Sequence, residues 1–229
     1  MAGAEGAAAP AKKSDLPVRV ASALVMLAVA AFAVWMGDQW VDGLITLIAA
    51  VCTWEFVRLV LRATQSWPLR LIGALLGFGY ILYAAYSLSV FDVPLVIYPV
   101  LIVVATDVGA YFSGRGIGGP KIAPAISPSK TWAGLGGGML AAGLFLAGTF
   151  IWNTGDWSLR PMLVIAFAIG AALAVLAQMG DFFESWLKRK ADMKNSSNLI
   201  PGHGGVFDRV DGLLPVAIAS GLLWQLHPA

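Results

Sequence analysis

Asp181, Glu184, Ser185 and Lys188 stand at offsets of 0, 3, 4 and 7, so a helix carries them on one stripe, with Gln178 one turn earlier. Two carboxylates, a hydroxyl and an ammonium on one face suit a site for cations and phosphate groups. The adjoining Lys188-Arg189-Lys190 run would, alone, be a membrane-topology anchor. Phe182, Phe183, Trp186 and Leu187 take other directions, toward lipid or neighbouring helices. Asp208 and Asp211, three residues apart at the start of the last apolar segment, either complement a helix N-terminus or hold a metal. Mg²⁺ fits such a set, because it takes one or two carboxylates completed by phosphate oxygens and water. Zinc does not: the chain has one Cys and two His, and His203, between Gly202 and Gly204, reads as a hydrogen-bonding group.

A second group of polar residues precedes the stripe. Asp107 interrupts the apolar run 95–105 with no cation one turn away; a carboxylate at that depth costs roughly 2.5–3.5 kcal/mol and must face protein or water. It serves either function or an interhelical hydrogen bond, and Tyr111 shares its face. The stretch 114–121 formally contains GxGxxG but lacks the flanking strand and helix of a dinucleotide site, and Pro120-Lys121 breaks a Walker A pattern. It reads as a glycine-rich loop, either a solvated connector or a contact for oxyanions through Arg115, Lys121, Ser127, Lys130 and Thr131. Glu55, with Arg58 and Arg62 on the same helical face, reads as an ion pair or as part of a cavity wall.

These groups need membrane helices to hold them. Hydrophobic residues make up 59% and charged ones 12% of 229 residues, with mean hydropathy +0.77, too little polar surface for a soluble globule. Apolar runs at 18–36, 40–62, 69–90, 93–113, 134–152, 161–188 and 209–226 predict an all-α bundle of about seven spanning helices. Residues 1–15 predict a disordered cytoplasmic tail and 16–229 one integral membrane domain; no small-residue cleavage site precedes Gly37-Asp38, so the first helix is expected to be retained. Threading the spans puts every Lys and Arg except Arg160 on one side, which is therefore cytoplasmic. No basic tract with interleaved aromatics supports nucleic-acid binding. Cys52 lies in an apolar run and reads as packing, and Gly73/Gly77 and Gly134/Gly138 have the spacing for close helix contact.

Ser185-Trp-Leu-Lys188-Arg189, then Lys194, then Ile200-Pro201-Gly202-His203-Gly204-Gly205-Val-Phe-Asp208-Arg209-Val-Asp211 resembles the signature of the phosphatidate cytidylyltransferase (CDP-diacylglycerol synthase) family. Asp107 to Arg115, Ser127 to Thr131, Gln178 to Ser185 and Trp54-Glu55-Phe56 extend the likeness over about two thirds of the chain. The resemblance implies cytidylyl transfer from CTP to phosphatidic acid at the cytoplasmic face of the inner membrane, with Mg²⁺ and a possible homodimer. It implies Asp181 and Asp208 as metal ligands supported by Glu184 and Asp211, with Lys188 in the catalytic set. Asp107, Tyr111, Arg115, Lys121, Ser127, Lys130, Thr131, Ser185, Arg189, Lys194, His203, Gly204, Gly205 and Arg209 would contact substrate. Two positions depart from the pattern: Asn195 replaces an acid and Ala133 a Glu, with Asp192 near enough to stand in for the first. A CTP-dependent lipid kinase and a transporter are the alternatives; a transporter would carry its polar groups near the midplane.

Overall fold

The computed structural model describes residues 16–155 and 160–226, so the amino-terminal tail, the centre of the 153–160 turn and His227 lie outside the described residues. The chain is an all-α polytopic bundle of an integral membrane protein. Its helices are α1 (Leu16–Met36), α2 (Asp38–Ala63), α3 (Trp67–Ser89), α4 (Val93–Gly116), α5 (Trp132–Thr154), α6 (Arg160–Lys190), α7 (Phe207–Val210) and α8 (Leu213–Leu226). Among the described residues, α1 to α6 are long and apolar enough to cross a membrane; α8 is apolar but shorter.

Two expected elements differ. The last segment breaks between α7 and α8, where the Asp211 carboxylate takes the N–H of Gly212 at 2.9 Å. The stretch from 114 is not one open loop. Gly114, Arg115 and Gly116 continue α4, and 121–131 folds into an antiparallel hairpin of β1 (Lys121–Ala123) and β2 (Ser127–Thr131). Glycine lowers helix propensity by about 1 kcal/mol without forbidding the conformation, and α4 already has about six turns behind it.

Helices α4, α5 and α6 pack in chain order, α2 pairs with α3, and α8 runs beside α3 and α6. α1 touches the rest mainly through α2 and buries only Ala33. Cys52, Phe56, Leu59, Ile81, Leu187 and Phe207 belong to one core, tying α7 to α2 and α6, and Ile102, Ala142, Leu173, Ala177 and Val216 to a second. Both glycine pairs sit at close approaches. A Cβ at Gly134 or Gly138 would lie 3.1 or 3.0 Å from a backbone oxygen of α4, and one at Gly73 would lie 3.0 Å from Val60 of α2. Gly77 accommodates the Phe56 ring.

At Gly137 a Cβ would overlap the Ser113 side chain and lie 2.7 Å from Gly109 O. Gly137→Ala is therefore expected to lower stability by about 1–3 kcal/mol, as overpacking does. Gly136→Ala, one residue away with nothing within 4 Å, is expected to leave it unchanged or slightly higher. Thermal denaturation in detergent reads both, and equal melting temperatures would contradict the packing.

Candidate active site

Antiparallel packing brings the carboxy-terminal ends of α2, α4 and α6 to one end of the bundle, where the hairpin and the 191–212 segment close over them. Gly180 lets that segment approach. A Cβ there would collide with Asp211 O, and one at Gly212 would lie 3.2 Å from Ala177 O. The polar stripe of α6 thus lies directly against the α7–α8 turn, with Gln178 and Glu184 buried and Phe183 and Trp186 facing outward.

Asp181 pairs with Lys130, which reaches across from β2 and sits 5.1 Å over the Phe182 ring. Asp181 also meets Asp211; burial first, then this neighbour, pushes the Asp211 carboxyl well above the usual carboxylate range. Lys188 bridges Glu184 at 2.5 Å and Asp208 Oδ1 at 3.0 Å. Asp208 Oδ2 accepts the Gly205 N–H at 2.8 Å, and the Ser196 N–H is shared between both oxygens at 3.1 and 3.0 Å. Burial opposes ionisation of Asp208, but Glu184, the Gly205 N–H and Lys188 outweigh it and hold the carboxyl down at about 2.

Asp211 meets Asp181 and lies within electrostatic reach of Glu184, which in turn meets Asp208, so the four carboxyl groups form one row. Among the described residues, no three acidic, His or Cys side chains form a ready-made metal cage. The row nevertheless carries more carboxylates than the two lysines paired with it. Its Glu184 Oε1 is buried without a hydrogen-bond partner. Four carboxyl groups crowded against two ammonium groups, one carboxyl oxygen being unsatisfied, suit a divalent cation that displaces carboxyl protons and completes its shell with phosphate oxygens and water, as Mg²⁺ does.

The other expected residues divide into two sets. Asp107 lies within electrostatic reach of Asp181 and Lys130, and Ser185 is half-buried on the α6 stripe. Gly204, at φ 93°, faces Asp208 and Asn195, so the departure from the family pattern stands beside the carboxylate row, whereas Asp192 is exposed. His203 Nδ1 is 2.7 Å from Ser22 Oγ of α1, and its carbonyl accepts from Arg209 at 2.5 Å.

Tyr111 and Arg115 instead pair with one another in the exposed end of α4, at 2.9 Å. Lys121 and Lys194 are exposed, and Arg189 reaches the Ile126 carbonyl in the hairpin turn. Thr131 caps α5 by accepting the Gly134 N–H at 3.0 Å, and Ser127 is buried in β2.

Glu55 departs from the expected ion pair. Its hydrogen bonds go to Ser196, Ser197, Val206 and Phe207, while Arg58 stacks on Trp54 at 5.8 Å. No local spacing signals a partner so distant in the chain. The Ser22 contact with His203 is hidden for the same reason.

The model of the cytidylyltransferase family matches residues 75–227, well over half of the chain. A phosphatidate cytidylyltransferase of Brucella suis is 39% identical over 164 residues, covering 68% of this chain and 56% of that protein. Proteins of the same description from Haemophilus influenzae and Pseudomonas aeruginosa are 44% and 42% identical over 123 and 132 residues. They are covered over 41% and 47% of their length, and cover 52% and 57% of this chain. The chain thus spans about half the length of the curated relatives it matches.

Proposed function

Because the chain belongs to the cytidylyltransferase family, we propose that it transfers the cytidylyl group of CTP to phosphatidic acid, giving CDP-diacylglycerol and pyrophosphate. The observation that carries this reading is the lysine-paired carboxylate row at the basic end of the bundle. A lipid headgroup and a soluble nucleotide can meet only at such a membrane-water boundary. The charge bias of the loops supports a cytoplasmic orientation in the inner membrane. Assembly as a homodimer belongs to the same proposal.

A phosphatidate phosphate is largely dianionic near neutral pH, its second pKa being about 6, so it needs little help from a base. One of its oxygens forms a bond to the α-phosphorus of CTP, the bond from that phosphorus to the α–β bridging oxygen breaks, and pyrophosphate leaves with the electron pair. In-line positioning and charge neutralisation are the remaining tasks. Lys130 and Lys188, which pair with carboxylates in this structure, are placed to exchange those partners for phosphate oxygens. Asp181 and Asp208 would hold Mg²⁺, which when bound neutralises charge on the nucleotide phosphates. Incubating the detergent-purified chain with phosphatidate, labelled CTP and Mg²⁺ tests the reading. Pyrophosphate and a cytidine-bearing lipid are expected, whereas CDP with a γ-labelled lipid would identify a kinase instead.

An apolar cavity of about 730 Å³ between α2, α3 and α6 is walled by residues including Phe56, Leu76, Phe183, Trp186 and Gly180, with Lys190 also lining it. Gly180 adjoins Asp181, so this cavity supports seating of an acyl chain beside the reacting headgroup. Leu76→Trp narrows it at an exposed position. The KM for long-chain phosphatidate should rise several-fold, while kcat and the KM for dihexanoyl phosphatidate stay level. A uniform rise in both would remove the cavity from the reading.

A further inference from the structure

Glu55 is a fully buried carboxylate that takes four donors. Its Oε1 accepts from the Ser197 hydroxyl and from the Val206 N–H at 3.1 Å, its Oε2 from the Ser196 hydroxyl at 3.0 Å and the Phe207 N–H at 2.6 Å. These donors come from two places in the 191–212 segment, one on each side of the Ile200–Gly204 turn. No helical interaction of α2 requires them.

The same two places supply the ligands of Asp208. Ser196 gives its hydroxyl to Glu55 and its N–H to Asp208. Phe207, whose N–H Glu55 holds, immediately precedes Asp208, and Gly205, whose N–H Asp208 holds, immediately precedes Val206. Gly205 passes so near that a Cβ there would lie 2.6 and 2.7 Å from the two Glu55 oxygens. An acceptor-only side chain suits the place, since each oxygen faces a backbone N–H, Val206 on Oε1 and Phe207 on Oε2, and an amide would turn its own N–H toward one of them.

We infer that Glu55 is a positioning residue: from α2 it clamps both strands of the loop that presents Asp208, and so fixes that carboxylate for cation and phosphate binding. This rests on the proposed role of Asp208. Outer partners of metal-ligating groups are typically worth about 10–100-fold in metal affinity or activity.

The test compares purified wild type, Glu55→Gln, Glu55→Asp and Ser197→Ala. It measures kcat/KM for CTP, Mn²⁺ binding to the protein alone by electron paramagnetic resonance, and amide hydrogen exchange by segment. Glu55→Gln should lose about 10–100-fold in both kcat/KM and Mn²⁺ affinity. Exchange should accelerate across 196–207 and stay unchanged in α4 and α5, with Glu55→Asp intermediate. Unchanged Mn²⁺ affinity and loop exchange would overturn the inference, and so would acceleration equal in α4, α5 and the loop, which marks general destabilisation. If Glu55→Gln does not fold, Ser197→Ala, which removes one Glu55 anchor together with the bond Ser197 accepts from the Leu199 N–H, must shift exchange at Val206 and Phe207 and Mn²⁺ affinity in the same direction, and no shift there overturns the inference. A wild type that turns over no CTP defeats the proposed activity, and one that binds no Mn²⁺ defeats the metal assignment. Loop exchange in the variants then still decides whether Glu55 holds the loop.

Discussion

Asp208→Asn is expected to reduce turnover by at least about 10²–10³-fold, the scale of removing one preorganised electrostatic group from a reacting centre. The substitution keeps shape and volume but inverts half of the hydrogen-bond pattern. In the native protein both oxygens accept, Oδ1 from Lys188 and Ser196 and Oδ2 from Gly205 and Ser196. An asparagine leaves either Lys188 or the Gly205 N–H facing another donor. It also removes the charge that Lys188 shares with Glu184. Because the Asp208 carboxyl is held down at about 2, it is ionised throughout the neutral range, and the variant removes a full charge there. Pyrophosphate release at saturating CTP checks the rate, and Mn²⁺ binding checks the site. Full activity in Asp208→Asn protein of native melting temperature would end the assignment.

Much of this arrangement is legible in the residues themselves, and what is not has identifiable causes. Hydrocarbon thickness imposes a length on each span, so the segments containing α1 to α6 stand out by hydropathy. The α6 stripe is equally legible, because a helix of 31 residues cannot hide a period of 3.6. Pairing along the row is not. Lys130 reaches Asp181 only because α4 and α5 lie close enough, at Gly109 and Gly137, to fold the hairpin back toward α6. The hairpin itself was masked by Gly, Pro and Ser, which are poor strand formers; its register, Lys121 opposite Thr131, is set where the chain must return to start α5. The break at Asp211-Gly212 does have a signal in Pro215, which has no N–H for the Asp211 carbonyl four residues earlier and is tolerated in the first turn of α8. It arises from the local Asp211 hydrogen bond and the approach of Gly212 to Ala177. The partners of Glu55 are hidden too, because Arg58 and Arg62 are near in sequence whereas those partners lie 141 to 152 residues away.

Lys130→Met is expected to move turnover and cation affinity in opposite directions. In this structure Lys130 is the counter-charge of Asp181, and a cation entering the row must compete with it. Removing the ammonium, which is the group that sits over Phe182, while retaining the apolar stem leaves Asp181 free for a cation. Mn²⁺ should therefore bind the variant protein alone several-fold more tightly than wild type. Turnover should nevertheless fall by about 10²–10³-fold, because the charge that would pass from Asp181 to the nucleotide phosphates is missing when they arrive. Lys130→Arg separates the two effects. It preserves the charge but fixes it in a planar fork, so cation affinity should return to the wild-type value while turnover recovers only in part. A Lys130 that merely braced the hairpin would give a different result, with Met and Arg variants both losing thermal stability and neither changing Mn²⁺ affinity. Weaker cation binding in Lys130→Met than in wild type would contradict the competition that the Lys130–Asp181 pair implies.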